Sequence, residues 1–401
     1  MSFMHFDESM KILNEQQIGT YKMERRPLLS ARGYILAEDI VAEENSPEAP
    51  TSGMDGYAVR HEDLALGRLK ISGINPAGNS ELEELRPGEA IKTFTGSLMP
   101  PGSDTLIPIE NVTVEGDEII IDEPVPYGFS VRPVGENYVE GERLIAAGTP
   151  IDYPQIGVLS SLNRCHVTVY AKPRVAILAT GSELLELGEP QSHTGQIRSS
   201  NNYTIGAIVE RYGAEAIHMG CVGDDRKRIA AAVDNALVQA DIVVSTGGVS
   251  VGDFDFVKDV VYALDAEVLF KGVRIKPGQH IMVARRGDQF IVALPGFAYS
   301  STVTALLYVV PLIMKLQNTQ NPIERVRATL REPFKKRSKK AEFTACNLRL
   351  ESGEYFVDFQ GKKSGTSAIL TNMLGPVGLL YTSEDEGDKD AGETVEVLKI
   401  L

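Results

Sequence analysis

Residues 242–261 read IVVSTGGVSVGDFDFVKDVV and change character repeatedly over a short distance. An apolar run typical of a buried strand gives way to Thr-Gly-Gly and Ser-Val-Gly, then to Asp253 and Asp255, and a helical pattern follows. Small residues let backbone N–H groups approach an anion closely. Carboxylates at the same place would repel that anion unless a cation or a proton shuttle lay between them. The stretch therefore predicts a strand–loop–helix unit that binds a phosphate-bearing ligand with a metal or an acid–base partner.

Strand-like and helix-like patterns alternate on both sides of this stretch, from residue 174 to residue 316. We predict strands at 174–180, 215–220, 240–246, 267–273 and 289–294, and helices at 201–213, 225–239, 255–264 and 301–316. Such alternation implies a mostly parallel sheet that is covered on both faces. Ligands of these sheets bind at the carboxyl ends of the strands. The motifs ATGSEL (179–184), STGGVSVGDFD (245–255) and LPGF (294–297) fall at such ends.

The flanking segments have a β-rich texture that predicts further domains. Residues 1–170 form a helical and β region, with an inserted β domain at about 45–135 that is split by Gly- and Pro-rich turns. Residues 171–318 form the α/β domain, and residues 325–401 return to short β runs and form a small β domain. The predicted fold class is therefore multidomain α/β plus β.

The composition is that of a soluble globular protein with an acidic balance. The 401 residues are 43% hydrophobic and 24% charged, and 40 Lys and Arg stand against 55 Asp and Glu, a formal charge of -15. This balance argues against nucleic acid as a partner, and it requires a local basic pocket for any anionic substrate. The N-terminus lacks the features of a signal peptide, and no apolar run reaches ~20 residues. We therefore expect a cytoplasmic protein without membrane spans, in which residues 301–316 form one buried helix.

Neither the cysteines nor the histidines are spaced as ligands. Cys165, Cys221 and Cys346 are scattered, which favours buried small side chains in a reducing compartment over a zinc site or disulfides. The six histidines form no pair at helical spacing, so we expect no histidine-based metal site. For the basic run KKRSKK (335–340), a solvated loop is favoured over a binding patch.

Four stretches combine glycine, hydroxyl and carboxylate residues in patterns that are typical of binding or catalytic loops. They are TSGMDGYAVR (51–60), FTGSLMPPGSDTLIPIEN (94–111), ATGSELLELGEP with GQIRSSNNY (179–203), and the opening stretch with KPG (276–278) and LPG (294–296) after it. Met54-Asp55-Gly56 alone could be an ordinary turn. Glu183, on a loop after a strand, can act as an acid–base or metal-linked group.

Together and in this order, the motifs resemble the molybdenum insertase family, which includes bacterial molybdopterin molybdenumtransferase and the gephyrin E domain. MDGYAVR, FTGxxxPxGxD, VRPVGEN, ATGSEL, RSSN, TGGVSVGDFDFVK, IKPG and LPG follow the family's order over essentially the whole chain. The resemblance implies a central molybdopterin-binding α/β domain, an N-terminal region with an inserted β domain, and a C-terminal β-barrel-like domain. It also implies a homodimer whose active cleft joins the α/β domain of one subunit to the N-terminal region of the other.

The family reaction takes adenylylated molybdopterin and molybdate and yields molybdenum cofactor with release of AMP, in a magnesium-dependent manner. The resemblance implies hand-over of the pterin from molybdopterin adenylyltransferase, with no nucleic acid or membrane partner. Molybdate and tungstate are tetrahedral dianions of similar size, so both fit this expectation.

The resemblance also assigns roles to individual residues. The catalytic positions are Asp55, Glu183, Asp224, Asp255 and Lys276, of which Lys276 should meet a phosphate or molybdate as a cation. Substrate binding falls to Thr95, Gly96, Ser97, Lys172, Thr180, Gly181, Ser200, Gly247, Gly248, Ser250, Pro295 and Ser300. Asp224 and Asp255 are the expected magnesium ligands, because carboxylates that hold magnesium neutralise a splitting pyrophosphate. Two alternatives stay open: Asp224 with Asp225 could cap a helix, and Lys172, Ser200 and Ser300 could have plain surface roles.

Several positions depart from the family pattern, namely Asn137, Ser199, Gly272, Gln279, His280 and Ala298. They cluster around the expected molybdate pocket, whereas the pterin-phosphate loops are intact. A second hypothesis is therefore a divergent, non-catalytic paralogue that binds molybdopterin or partner proteins. A stand-alone adenylyltransferase is disfavoured, because residues 1–170 and 325–401 flank the α/β domain.

Overall fold

The structure, a computed structural model, describes residues 3–248, 256–363 and 367–400. The chain divides into two compact units. The larger unit comprises residues 1–37, 148–152 and 166–401, and the smaller unit comprises residues 38–147 and 153–165. The domain boundaries predicted above stay a prediction, and each unit is described by itself below.

Residues 3–170 contain two α-helices and thirteen strands. The helices are α1 (Phe6–Glu15) and α2 (Tyr153–Ser161), and the strands are β1 (Met23–Pro27), β2 (Ile35–Leu36), β3 (Ile40–Val41), β4 (Thr51–Ser52), β5 (Gly56–Val59), β6 (Arg68–Asn75), β7 (Glu89–Thr93), β8 (Thr105–Pro108), β9 (Val112–Glu115), β10 (Glu118–Ile121), β11 (Val131–Arg132), β12 (Arg143–Ile145) and β13 (His166–Tyr170). Short 3-10 helices span Leu28–Ser30, His61–Leu66 and Ile109–Asn111.

The remaining residues contain the alternating region and a second run of strands. The strands are β14 (Arg174–Thr180), β15 (Leu184–Leu185), β16 (Ile197–Arg198), β17 (Glu215–Val222), β18 (Ile242–Thr246), β19 (Glu267–Lys271), β20 (Ile275–Lys276), β21 (Met282–Arg286), β22 (Gln289–Leu294), β23 (Arg325–Leu330), β24 (Ala341–Glu351), β25 (Glu354–Asp358), β26 (Val377–Thr382) and β27 (Thr394–Lys399). The helices are α3 (Asn201–Arg211), α4 (Arg226–Gln239), α5 (Phe256–Ala263), α6 (Ala298–Thr304) and α7 (Val310–Leu316), with a 3-10 helix at Leu370–Met373.

A six-stranded sheet forms the centre of the larger unit, in the order β17-β14-β18-β22-β21-β19. β14 pairs in parallel with β17 and β18, and β18 pairs in parallel with β22. β21 and β19 run antiparallel to their neighbours. The predicted mostly parallel sheet is confirmed, with one addition: residues 282–294 form a β21–β22 hairpin whose first strand the sequence patterns did not single out.

Both faces of this sheet are covered, as the apolar run in β14 predicts. Val175 and Ile177 belong to one core, which also contains Ile205 of α3. Ala176 and Leu178 belong to a second core, together with side chains of α4 and α5. Successive side chains of one strand therefore enter opposite layers.

The apolar segment near residue 300 is one continuous helical run, in which a π-helical turn at Ala305–Val309 joins α6 and α7. By length and composition this helix could cross a membrane, but 83% of its most apolar window is buried inside the protein. No other helix among the described residues passes that test. Tyr308 is fully buried, and its hydroxyl lies 2.8 Å from Ser9 Oγ. The prediction of a buried core helix is confirmed.

The C-terminal strands close into a five-stranded barrel, in the order β24-β25-β23-β27-β26, with β26 paired back to β24. This confirms the predicted β-barrel-like domain. β20 joins the barrel in parallel with β24, so that Ile275 lies opposite Ala341 and Lys276 lies opposite Glu342. The Lys-Pro-Gly segment is thereby anchored to the C-terminal barrel.

The smaller unit is built on a six-stranded sheet in the order β8-β5-β7-β6-β10-β9. Its core includes Tyr57, Leu69, Ile107 and Ile119. Gly56 begins β5 where this strand meets β8, and a Cβ at Gly56 would lie 2.3 Å from Ile107 O. Only glycine fits there, which explains why a glycine follows Asp55 at the start of the strand.

Candidate active site

Three parallel strands, β14, β18 and β22, end side by side at one edge of the larger unit's sheet. Directly after β18, Gly247 donates its N–H to Leu294 O at 3.1 Å, and a Cβ at this position would lie 2.6 Å from Thr180 O. Its φ of +88° is also one that residues with side chains rarely adopt. Glycine at 247 therefore lets the loops close onto one another. We call residues 180–183, 246–248 and 294–296 the strand-end loops.

Many of the predicted substrate-binding residues meet at the strand-end loops. They are Thr180, Gly181, Gly247, Gly248 and Pro295. The N-terminus of α3 reaches the same place, because Asn201 Nδ2 donates to Gly296 O at 2.8 Å. Ser200 is the N-cap residue of α3 but makes no side-chain capping bond. Ser250 and Asp255 lie outside the described residues.

The acidic residues of this edge differ in their surroundings. Asp224 Oδ2 accepts the N–H of Ser182 at 2.9 Å, and Ser182 Oγ accepts the N–H of Asp224 at 3.0 Å. Asp225, and not Asp224, caps α4, because its Oδ1 accepts the N–H of Arg228 at 2.8 Å. Asp224 thus ties the β17–α4 connection to the loop after β14. Glu183 is exposed, and its carboxylate would lie within 2.6 Å of a Cβ at position 181.

The acidic side chains of the described residues are not grouped as the predicted magnesium site requires. In residues 3–248, 256–363 and 367–400 no three or more His, Cys, Asp or Glu side chains are grouped so that they could hold a metal ion. Asp224, one of the two expected ligands, already accepts a backbone N–H. The other, Asp255, lies outside the described residues. The described residues therefore do not form a magnesium site by themselves.

The Asp55 loop belongs to the smaller unit and is held by Thr95. Asp55 Oδ1 accepts both the N–H of Thr95 at 2.8 Å and its hydroxyl at 2.7 Å. These bonds, the backbone one first, lower the pKa of Asp55 below its usual value, against a smaller opposing effect of burial. Asp55 is therefore an exposed and fully charged carboxylate at neutral pH.

The neighbouring Thr-Gly-Ser turn is fixed from inside the smaller unit. Gly96, with φ of +79°, donates its N–H to Ser52 O at 2.8 Å. Ser97 is buried, and its hydroxyl donates to Asn75 O at 3.1 Å. The Ser97 hydroxyl thus stabilises the turn itself, while Thr95 and Gly96 are exposed.

A cavity of about 630 Å³ lies in the larger unit, between the Lys276–Pro277 turn and the C-terminal barrel. Its charged lining consists of five basic side chains and two carboxylates: Lys276, Lys335, Arg337, Lys362, Lys363, Glu332 and Glu342. Its apolar wall includes Phe334 and Phe359, whose rings stack at 5.7 Å. In a protein with a formal charge of -15, this is the local basic pocket that an anionic substrate requires. We call it the cationic cavity.

Lys276, predicted as an anion-binding residue, lies on the cationic cavity and is paired with a buried carboxylate. Its Nζ lies 3.4 Å from Glu342 Oε1, and that same oxygen accepts the N–H of Arg337 at 3.0 Å. The side chain of Lys276 is 40% exposed, whereas that of Glu342 is 3% exposed. The ammonium group therefore reaches the cavity while the carboxylate supports it from below.

Sequence reasoning missed most of this cavity. The basic run 335–340 is a loop in which Lys335, Arg337 and Lys339 are exposed, which agrees with the expectation of a solvated loop, and Lys335 and Arg337 also line the cavity. Lys336 Nζ is held by the carbonyls of Ser383, Glu384 and Glu386. The available signal was the density of lysine and arginine in KKRSKK and FQGKK within an acidic chain.

None of the predicted substrate-binding residues that the structure describes is on the cavity lining, and Lys172 and Ser300 are two examples. Lys172 Nζ lies over the ring of Tyr34 at 4.7 Å, next to the small β1-β13-β2 sheet. Ser300 is buried near the start of α6, and its N–H donates to Ser367 O at 3.2 Å, a residue that does line the cavity. Ser300 thus shapes the cavity through its backbone.

The cysteines are not reactive groups of either site. Cys346 is buried and Cys221 partly buried, and burial raises the pKa of each thiol to about 12. Cys165 is exposed, which corrects the expectation of a buried side chain. No disulfide joins the three thiols, which are all free.

Comparison with known proteins assigns this fold and these loops to one family. Residues 4–163 match the MoeA N-terminal region (domain I and II), and residues 176–315 match a probable molybdopterin binding domain. The molybdopterin molybdenumtransferase of Nostoc sp. is 34% identical over 93% of this chain and 88% of its own length. This chain belongs to the molybdopterin molybdenumtransferase family. The family is one of transferases in molybdenum cofactor biosynthesis.

Further relatives cover the molybdopterin molybdenumtransferase fold end to end. The Haemophilus influenzae molybdopterin molybdenumtransferase is 31% identical over 98% of this chain and 97% of its own length. A crystal structure of the molybdopterin biosynthesis MoeA protein of Pyrococcus horikoshii superposes with a TM-score of 0.85, at 30% identity and with 100% of both chains covered. The predicted family and fold class are both confirmed.

Positions that depart from the molybdopterin molybdenumtransferase pattern have local explanations. Gly272 has φ of +72°, and a Cβ there would lie 2.3 Å from the Phe3 ring, so the basic side chain common in the family does not fit. Gln279 accepts a hydrogen bond from Lys340 Nζ and lies 2.8 Å from His280 Nε2. A barrel lysine thus contacts the position at which the family carries its own lysine.

The other altered positions are structural in character. Asn137 lies in the smaller unit, where its N–H donates to Ser46 O at 2.8 Å. Ser199 is buried just before α3. Ala298 begins α6, and its carbonyl accepts the hydroxyls of Ser301 and Thr302.

Proposed function

We propose that this chain inserts molybdate into adenylylated molybdopterin, with release of AMP, in a magnesium-dependent reaction. The observation that supports this best is the cationic cavity: five basic side chains against two carboxylates in a protein with a formal charge of -15. A locally basic cavity in an acidic protein concentrates anions and speeds their association. Molybdate and tungstate are the oxyanions that the family chemistry uses.

The strand-end loops bind the phosphate of the pterin substrate. Glycine at 247 and 248 lets the loop after β18 pass close to Thr180, and glycine-rich loops at strand ends are typical phosphate-binding elements of α/β folds. The same stretch of chain leads from these loops to the cavity, because Gly296 lies against Gly247 and Tyr299 lines the cavity. This short connection supports a proposal in which pterin at the loops and molybdate in the cavity belong to one site of the larger unit.

The acidic residues have the remaining proposed roles, which are proton transfer and magnesium binding. Glu183, which is exposed at the strand-end loops, moves or holds a proton near the pyrophosphate. Asp55, which is charged at neutral pH, is a second proposed acidic group. Lys276 holds the oxyanion as a point charge. Asp224 and Asp255 are the proposed ligands of magnesium, which when bound neutralises charge on the phosphates.

We further propose that the active form is a cytoplasmic homodimer that receives its pterin from molybdopterin adenylyltransferase. Light scattering of the purified protein should give twice the chain mass at micromolar concentration. Full catalytic activity of a monomer would contradict the proposal that the dimer is the active form. Faster turnover when adenylyltransferase is present, at a fixed concentration of pterin, would support hand-over.

The reaction is tested in vitro with adenylylated molybdopterin, magnesium and molybdate or tungstate, by following AMP release together with active cofactor. We expect AMP release that needs the oxyanion and is abolished by EDTA. K276M should lose most of the activity. K339M, in the basic run 335–340 but with an exposed side chain away from the cavity lining, should retain it. Equal activity of K276M and wild type would contradict the proposed site.

A second candidate function is a non-catalytic molybdopterin-binding paralogue. The packing of Phe3 against Gly272 favours it, because this contact removes the space for a cation that the family usually places there. Tight pterin binding without AMP release in the same assay would favour this candidate over the enzyme.

A further inference from the structure

One of the two carboxylates on the cationic cavity is unusual in its position. Glu342 is 2% exposed, yet it lines a cavity whose other charged groups are mostly basic. A buried carboxylate is costly unless charged or hydrogen-bonding partners compensate it. In a cavity that receives an anion it also repels the ligand. Its presence therefore calls for a role other than binding.

The backbone holds Glu342 at the junction of two β structures. It lies opposite Lys276 across the parallel β20–β24 pair and opposite Thr382 across the antiparallel β24–β26 pair. Strand pairing on both sides prevents the residue from swinging into solvent, as a surface glutamate would. The side chain is thus fixed beneath the Lys276–Pro277 turn.

A single oxygen of Glu342 serves two elements of the cavity wall. Oε1 lies 3.4 Å from Lys276 Nζ and accepts the N–H of Arg337 at 3.0 Å. The contact with Lys276 is longer than the roughly 2.7–2.9 Å of a strong ammonium–carboxylate bond. Lys276 is also 40% exposed. Its ammonium group can therefore turn donors towards a ligand without leaving Glu342.

We propose that Glu342 is a positioning residue that holds the backbone at Arg337 in place, aims Lys276 at the bound oxyanion and, through its charge, limits how tightly that oxyanion is held. This inference rests on the proposed function for the identity of the anion, but not for the presence of an anion site. A cavity without this carboxylate would bind the oxyanion tightly in the ground state. Such binding stabilises the ground state and does not speed the reaction.

The test is direct titration of the purified full-length protein with molybdate, with sulfate and phosphate as further probes, together with turnover. For E342Q we expect oxyanion affinity to rise roughly tenfold, since one buried negative charge is removed, while kcat falls and KM for molybdate falls with it. The matched control is E351Q, on the exposed half of the same strand and away from the cavity lining, which should leave both quantities unchanged. A purely structural role would lower thermal stability without tightening oxyanion binding.

A second pair of variants keeps the inference testable if E342Q does not fold. K276Q should loosen oxyanion binding at least tenfold, and K276Q/E342Q, which leaves no unpaired buried charge, should regain most of the lost affinity. If the double variant binds as weakly as K276Q, or if E342Q binds no tighter than wild type, the inference is overturned. The wild-type arm tests the proposed function separately: oxyanion binding that tightens in E342Q, without any AMP release from wild type, would support the role of Glu342 and contradict the enzyme.

Discussion

Replacement of Gly247 by alanine tests whether the strand-end loops are closed as tightly as the structure has them. A left-handed backbone costs a residue with a side chain roughly 1–2 kcal/mol. The new Cβ would also lie 2.6 Å from Thr180 O and 2.9 Å from Thr180 Oγ1, and overpacking of this kind costs about 1–3 kcal/mol. We therefore expect G247A to be destabilised by about 2–5 kcal/mol, or to relieve the clash by moving the loop away from Thr180.

The matched control is Gly188, which has a similar φ of +92° but nothing within 4 Å of its Cβ position. G188A should bear only the backbone cost, about 1–2 kcal/mol. Thermal unfolding and pterin binding are measured for both variants. G247A should melt at a clearly lower temperature than G188A or bind molybdopterin at least tenfold more weakly. If the two variants matched in both measurements, the close approach of the loops, and the phosphate site built on it, would be refuted.

Three further predictions concern other parts of the chain. T95V removes the Thr95 hydroxyl, one of the two donors whose hydrogen bonds lower the pKa of Asp55. The acidic limb of the pH–activity profile should therefore move to higher pH. An unchanged acidic limb would show that Asp55 does not limit activity. The stabilising contribution of Asp55 is present above its ordinary pKa and is lost as pH falls through the lowered one, so T95V should be less stable than wild type at neutral and mildly acidic pH, and the difference should disappear at strongly acidic pH. D225A should lose about 1 kcal/mol of stability as a helix-cap variant but keep its activity, whereas D224A should lose activity; the reverse pattern would exchange their roles. G272R should disturb the packing of the N-terminal aromatic ring and lower the melting temperature without raising oxyanion affinity, and increased affinity would mean that the ring yields easily.

The sequence predicted the central fold well because its signals are local. Apolar runs at 174–180, 242–246 and 289–294 alternate with helical patterns, and these strands pair in parallel as such alternation implies. The strand β21 was not singled out, although its partner at 289–294 was. Its residues 282–286 read MVARR, a run too short and too mixed to separate from a loop by pattern alone.

The candidate site was only partly accessible from the sequence. Glycine motifs at strand ends were sufficient to place the strand-end loops, because parallel strands end at a common edge. The cationic cavity was not predicted, because its basic charges come from residues 276, 335, 337, 362 and 363, which become neighbours only when the barrel closes and β20 adds to it. The pairing of Lys276 with Glu342 follows from strand register and has no signature in either local sequence.

The distinction between Asp224 and Asp225 shows the same limit at short range. The dipeptide Asp-Asp before α4 is compatible with either residue as the cap. The structure assigns the cap to Asp225 and gives Asp224 a partner 42 positions away in the chain. A long-range contact with Ser182 decides a question that the local pattern leaves open.

The measurement that tests the central claim most directly is the ratio of AMP released to active cofactor formed by the purified protein. It is made with adenylylated molybdopterin and magnesium, with and without molybdate, in a single turnover. We predict that one AMP is released for each active cofactor formed, and that no AMP is released when molybdate is absent. AMP release that ignores molybdate, or no release while pterin stays bound, would contradict an enzyme that uses the cationic cavity to insert the metal.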